Sequence, residues 1–207
     1  RSDSHWPIRR ATRDLVEECT ATIVGEVESL KGLVDEFSQF ARMPAPRAQP
    51  TDLQGLLTDV LALYQGIFPT VELRLRCADV LPKVSVDYEQ IRRVLINLID
   101  NAIKYGRPSA PAAGKPDLEV AVRIAGDEVR LMIADRGPGI PATDRERVLK
   151  RFVRLEASRT RPGTGLGLSL VAAVARLNGG RLLLEDNAPG LRIMLELPIH
   201  QPRSTSS

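Results

Sequence analysis

The chain has 207 residues, of which 43% are hydrophobic and 27% charged, with a net charge of +3. This is the balance of ordinary globular protein, long enough for one full domain and an appendage. No run approaches the roughly 18 apolar residues that a membrane span needs, and no signal-peptide pattern heads the sequence. Basic residues are scattered among acids, and only eight aromatics (four Phe, three Tyr, one Trp) are present, which argues against a nucleic-acid surface.

Cys19 and Cys77 lie in different segments without metal-ligand spacing. They read as small buried apolar residues of a reducing compartment. The sequence opens on Arg1 with all three methionines internal, so the expectation is a piece of something longer.

Residues 8–43 form the first pattern. Val16, Cys19, Ile23, Val27, Leu30, Val34, Phe37 and Ala41 alternate three-four spacing, the seam of a coiled coil or helix bundle. A single helix cannot bury such a stripe, so a second chain or a further segment must cover it. "RMPAPRAQPTD" then stops the helix with Pro44, Pro46 and Pro50 and opens a linker.

Beyond it the pattern turns to mixed α and β. Asp52 caps a helix running to about Gln65. Val71, Leu73, Leu75 and Cys77 alternate with charged residues as a half-buried strand. Asp87 opens the helix that carries "VLINLIDNAIKYG", and "RPSAPAAGKPD" is a loop. Strands over 118–124 and 129–133 form a hairpin at "AGDE". A glycine loop, a short helix near 143–151, a second glycine loop and an apolar helix over 166–178 follow. Strands 181–185 and 191–197, around "NAPG", close the domain before a frayed tail. Segregated, hairpin-connected elements predict an α+β two-layer sandwich rather than a doubly wound parallel sheet.

Three segments carry chemistry. At 100° per residue, Ile91, Val94, Leu95, Leu98, Ile99 and Ala102 share one arc, and Asn97, Asn101 and Lys104 cluster within roughly 60° at its margin. Amide oxygens suit a hard cation such as Mg²⁺, and an ammonium suits a phosphate attached to it; loop-capping asparagines are the plainer alternative. In "ADRGPGI", Gly137 and Gly139 allow positive φ and close approach of a ligand. Asp135 at the strand end could accept hydrogen bonds from an exocyclic amine, or simply cap an ordinary glycine turn. "GTGLGLSL" opens a helix with glycine-rich backbone that suits phosphate, although no P-loop lysine follows.

Each segment is weak evidence singly; their order is specific. The asparagine helix, "DRGPGI", "RFVR" and "GTGLGL" resemble the N box, first glycine box, F box and second glycine box of the histidine-kinase catalytic domain, in the GHKL ATPase superfamily. The likeness covers roughly residues 50–200. It implies the Bergerat ATP-binding sandwich, preceded by a long bundle helix. "LVDEFSQFARMPAP" further resembles the second dimerisation helix of the nitrogen-regulation (NtrY-like) class of sensor kinases.

The resemblance implies roles for matched positions. Asn97 and Asn101 would ligand or support Mg²⁺ on the triphosphate of ATP. Lys104 would reach a phosphate, and Tyr105 would pack on or near the nucleotide. Asp135 would bond the adenine amine, with Gly137, Gly139 and Ile140 passing the purine. Gly163, Thr164, Gly165, Leu166 and Gly167 would wrap the phosphates, and Leu168 would start the packed helix. Residues 153–164 would form the ATP lid. Phe152 is expected to be a core anchor for the short helix.

Hydrolases of the superfamily place a glutamate one turn before the Mg²⁺ asparagine as general base. Here that position is Asn97, whose amide cannot accept a proton at neutral pH. Transfer to an incoming nucleophile is therefore expected, as in a protein-histidine kinase. His5, followed by Trp6 and Pro7, departs from the family's pattern of a histidine followed by an acid, with a proline five residues after the histidine. It is a weak phosphoacceptor candidate, and His200 reads as a surface residue. The expected phosphoacceptor histidine lies on a first dimerisation helix outside the chain. A GHKL-type serine kinase and a non-catalytic ATP-binding scaffold are the alternatives.

The expected organisation is a partial dimerisation segment over 1–46, an ATP-binding domain over 47–200 and a disordered tail over 201–207. The expected partners are a response-regulator receiver domain and a second copy joined through residues 8–43, with no nucleic acid. The expected location is the cytoplasmic part of a membrane-bound sensor kinase.

Overall fold

A computed structural model describes residues 6–41, 45–66, 71–78, 80–106, 117–155 and 164–199. The chain divides into two compact units, Arg1–Met43 with Arg154–Thr164 and Pro44–Val153 with Gly165–Ser207. Among the described residues no helix is long and apolar enough to cross a membrane.

The first unit contains one long helix, α1 (Trp6–Ala41). Of the stripe that the spacing predicts, Val16, Ile23, Val27, Leu30 and Val34 are all exposed, while the side chains of Phe37 and Ala41 lie outside the described residues. Leu15 and Val24 widen the exposed apolar band. Cys19 is exposed as well, which corrects the expectation of a buried thiol; it sits on the same open seam.

The second unit is built from β1 (Gln49–Thr51), α2 (Leu53–Ala62), β2 (Glu72–Cys77), β3 (Val84–Val86), α3 (Tyr88–Tyr105), β4 (Asp117–Ala125), β5 (Glu128–Asp135), α4 (Gly167–Leu177), β6 (Arg181–Asp186) and β7 (Leu191–Pro198). Five strands make one sheet in the order β2-β4-β5-β7-β6. Only β2 and β4 pair in parallel, and the rest of the sheet is antiparallel. The α+β sandwich holds, with the one parallel pair made possible by the long β3–α3 crossover.

Alternation decides the core. Leu118, Val120 and Val122 of β4, Val129, Leu131 and Ile133 of β5, and Leu191, Ile193, Leu195 and Leu197 of β7 all turn to the buried face. Against it lie Ile91, Val94, Leu95, Leu98 and Ile99 of α3 and Leu170, Val171 and Val174 of α4. On the other face charges pair across strands. Glu196, only 1% exposed, is hydrogen-bonded by Arg181 and lies 2.7 Å from Arg130 in an ion pair off hydrogen-bonding geometry, so its buried charge has two cationic neighbours.

Polar side chains fix the helix ends. Asp52 and Asp87 cap α2 and α3 by accepting from Gln54 N and Gln90 N, each at 3.0 Å. Buried Asn178 at the end of α4 donates to Gln90 Oε1 and to Val174 O, and accepts from Asp87 N at 2.8 Å. One amide thus ties the end of α4 to the start of α3.

Several expectations change. Part of the proline linker is strand β1, paired antiparallel with β3; two three-residue strands carry too little alternation to be read from sequence. The β2 pattern is less buried than its period implies, because β2 is an edge strand: Leu75 is 49% exposed and Cys77 is half-buried. The helix near 143–151 is instead two separate 3₁₀ turns, Ala142–Asp144 and Arg147–Leu149. Residues 107–116 and the tail 201–207 lie outside the described residues, as do His5 and His200.

Candidate functional site

The site begins on the polar margin of α3. Asn97 and Asn101, both half-buried, sit one turn apart, and Asn101 Nδ2 donates to Asn97 Oδ1 at 3.0 Å. Among the described residues neither amide caps a loop. With its NH₂ group turned to Asn97, the Asn101 amide leaves Oδ1 without a donor among the described residues. Lys104 Nζ lies over the Tyr105 ring, 5.1 Å from its centroid, a cation–π arrangement.

The same helix abuts both glycine segments. A Cβ on Gly137 would stand 2.3 Å from Tyr105 O, and one on Gly167 would stand 2.8 Å from Asn97 Oδ1. Both distances are impossible for a real side chain without rearrangement, so each glycine is set by α3 passing close by. Of the two glycines read as conformational, Gly139 does have φ +69°. Gly137 does not; it is needed for the approach of the helix end, which sequence spacing could not reveal.

Asp135 ends β5 next to this junction and is 8% exposed. Its Oδ1 accepts from Gly137 N at 2.8 Å and from Leu191 N at 3.3 Å. Among the described residues no donor reaches Oδ2. Burial pushes the carboxyl above its ordinary range, and the two backbone N–H groups pull it partly back. The result is a buried carboxylate with one oxygen fixed and one open to a donor. Ile140, half-buried, offers its carbonyl to Arg145 Nε at 3.0 Å.

Gly165 has φ +73° and its carbonyl accepts from Phe152 N at 3.0 Å. Phe152 itself is 54% exposed with φ +62°, which corrects its expected role as a core anchor: the left-handed backbone turns the ring outward. Thr164 and Leu168 are half-buried and Leu166 is buried, just before and within the first turn of α4, which begins at Gly167. Gly163 and residues 156–162 lie outside the described residues.

The structure thus sets Asn97, Asn101 and Tyr105 of α3 beside Asp135 at the end of β5, Gly137 in the loop after it and Gly167 at the start of α4. Sequence reasoning missed Gly106, whose Cβ would meet Asp135 Cβ at 2.6 Å, and Gly190, whose Cβ would meet Asp135 O at 1.9 Å. It also missed Asn187, which donates to Asp135 O at 2.8 Å. "NAPG" marked a turn but not what the turn holds. Among the described residues no group of three or more His, Cys, Asp or Glu is placed to hold a metal ion.

The family described as histidine kinase-, DNA gyrase B- and HSP90-like ATPase matches residues 86–201, which include every part of this site. The chain is 33% identical over 195 residues to the adaptive-response sensory kinase SasA of Synechococcus sp. (strain JA-2-3B'a(2-13)), covering 91% of this chain and 48% of SasA. It is 28% identical over 202 residues to the nitrogen regulation protein NtrY of Azorhizobium caulinodans, covering 94% of this chain and 26% of NtrY. The chain therefore spans half or less of the length of these relatives. Among solved structures, full-length ShkA in complex with AMPPNP superposes with a TM-score of 0.71 at 26% identity, over 89% of this chain and 39% of ShkA.

Proposed function

The chain belongs to the histidine kinase-, DNA gyrase B- and HSP90-like ATPase family, and on that premise we propose that it is the ATP-binding catalytic part of a two-component sensor histidine kinase. Its substrate is Mg²⁺-ATP, and its acceptor is a histidine on a dimerisation helix. Residues 47–200 are the ATP-binding domain and residues 1–46 the dimerisation segment. A response-regulator receiver domain is the onward partner, and the parent protein is a membrane-bound sensor with this part in the cytoplasm. The sensor-kinase relatives and the exposed seam of α1 support these readings.

Bound Mg²⁺-ATP supplies the transferable phosphoryl group and the charge neutralisation that transfer requires. The residues present fit it. Asn101 offers an amide oxygen to a hard cation, and Asn97 orients that oxygen by taking the amide hydrogen. Asp135 Oδ2 accepts from the adenine amine, while Gly137, Gly139 and Ile140 form the wall beside the base. Asn97 and Tyr105 are about 12 Å apart along α3, which suits a ligand with a base at one end and phosphates at the other. Lys104 meets a phosphate oxygen, Tyr105 packs near the nucleotide, and the glycine-rich segment 163–168 offers backbone N–H groups to the phosphates.

The observation that carries transfer over hydrolysis is the Asn101-to-Asn97 hydrogen bond. A primary amide, already engaged as acceptor, stands where the resemblance puts the hydrolases' general base, so the site positions and neutralises but does not activate water. The test is incubation with γ-labelled ATP and a separate histidine-bearing hairpin. Label on histidine is expected, and label on serine, or no ATP binding, overturns the reading. Asn101→Ala should reduce Mg²⁺-ATP binding or transfer by about 100-fold, the loss of an amide-oxygen contact to a divalent cation. Unchanged affinity and rate would refute the assigned role.

A further inference from the structure

The β6–β7 turn, outside every glycine box, makes three contacts with one residue. Asn187 Nδ2 donates to the Asp135 carbonyl at 2.8 Å. Leu191 N donates to Asp135 Oδ1 at 3.3 Å. Between them Gly190, with φ +114°, passes so near that a Cβ there would lie 1.9 Å from Asp135 O. The turn is therefore moulded on the end of β5.

Asn187 is itself held. Its Oδ1 accepts from Arg192 Nη2 at 2.9 Å, and another nitrogen of that guanidinium faces Glu185 at 3.8 Å. The Asn187 backbone N–H closes the turn on Gly190 O at 3.2 Å. An amide fixed at both ends acts as a rigid strut. It runs from Arg192 on β7 to the main chain of Asp135, whose Oδ2 accepts no donor among the described residues.

We propose that Asn187 is a positioning residue for purine recognition: by pinning the Asp135 main chain it fixes the direction of Asp135 Oδ2, and so sets the preference for a 6-amino over a 6-oxo purine nucleotide. The proposal rests on the reading of Asp135 as the acceptor of the adenine amine. Asn187 touches no nucleotide and acts only through Asp135. Arg192 supports it by fixing which end of the amide faces the carbonyl.

The test is calorimetric titration of the chain with Mg²⁺-ADP and Mg²⁺-IDP, which differ at the purine 6-position. Asn187→Ala should weaken ADP about fivefold and IDP less than about twofold, so the ADP/IDP preference falls. Asn187→Asp keeps the size and the Arg192 partner but sets an oxygen against the Asp135 carbonyl. Its added charge acts on both nucleotides alike, so its preference ratio should fall at least as far. It carries the test if the alanine variant does not fold. An ADP/IDP ratio equal to that of the parent, with both affinities lowered together, overturns the positioning role and leaves the Asp135 reading standing. A parent chain that does not prefer ADP to IDP overturns the Asp135 reading and this proposal with it.

Discussion

In α3, Ile91, Leu95, Leu98 and Ile99 are at most 1% exposed, whereas in α1 Val16, Ile23, Val27, Leu30 and Val34 are 57–63% exposed. Both helices repeat apolar residues every three or four positions, so period alone does not separate them. The difference lies in what each sequence has nearby to cover the stripe. The stripe of α3 is covered by the sheet, α2 and α4, and its margin is free to carry Asn97 and Asn101. In α1 the same rhythm is left open to solvent, because a single helix cannot bury its own apolar stripe.

The sharpest way to break this contrast is Leu98→Ala. It cuts a fully buried side chain and should cost about 3 kcal/mol, read as a lower urea midpoint at constant slope. A loss under about 1 kcal/mol would mean that α3 is not the core helix described. Next comes Gly167→Ala, which separates packing from function on α3. Alanine favours a helix by up to about 1 kcal/mol, yet its Cβ would press on Asn97 Oδ1 and Nδ2, at 2.8 and 3.2 Å. Stability should change little while Mg²⁺-ATP affinity falls about tenfold; retained affinity would detach Asn97 from the site.

Asp135→Asn probes a charge buried at the end of β5. Its carboxyl is raised by burial, so the proton is held more tightly in the folded state. Its stabilising contribution is complete below the ordinary carboxylate pKa and is lost as pH rises through the folded value. The amide variant escapes that loss. Without nucleotide its melting temperature should exceed the parent's at pH 7, and the gain should fade as pH drops below the carboxylate range. Nucleotide affinity should fall in the same variant. A lower melting temperature at pH 7 would contradict the burial account. Smallest is Ile23→Ala in α1, which should alter unfolding by under about 0.5 kcal/mol, since its side chain is 63% exposed. If the seam joins two copies, that substitution should instead weaken self-association, measurable by sedimentation. A large stability loss in a monomer would mean that α1 is covered within its own chain.

Much of this was legible along the chain. The caps Asp52 and Asp87, the β4–β5 hairpin at "AGDE" and the asparagine pair were all signalled by residues within a few positions of one another. What escaped depended on contacts distant in sequence. Phe152 reads as a core aromatic, but a left-handed backbone at that residue turns it out. Leu75 keeps strand alternation, yet an edge position leaves it exposed. Gly137 looked like a conformational glycine, while the constraint on it is the carbonyl of Tyr105.

The elements, their caps, the polar margin of α3 and the order of the glycine segments follow from residue order alone, because hydrogen-bonding period and capping are local chemistry. Which atoms meet follows from the packed fold. Asn97 faces Gly167, Tyr105 faces Gly137, and Asn187 reaches across from the β6–β7 turn to Asp135. These juxtapositions come from the packing of α3 between two loops and from the pairing of β5 with β7. Close packing at that scale is a property of neighbours in space, which no spacing along the chain records.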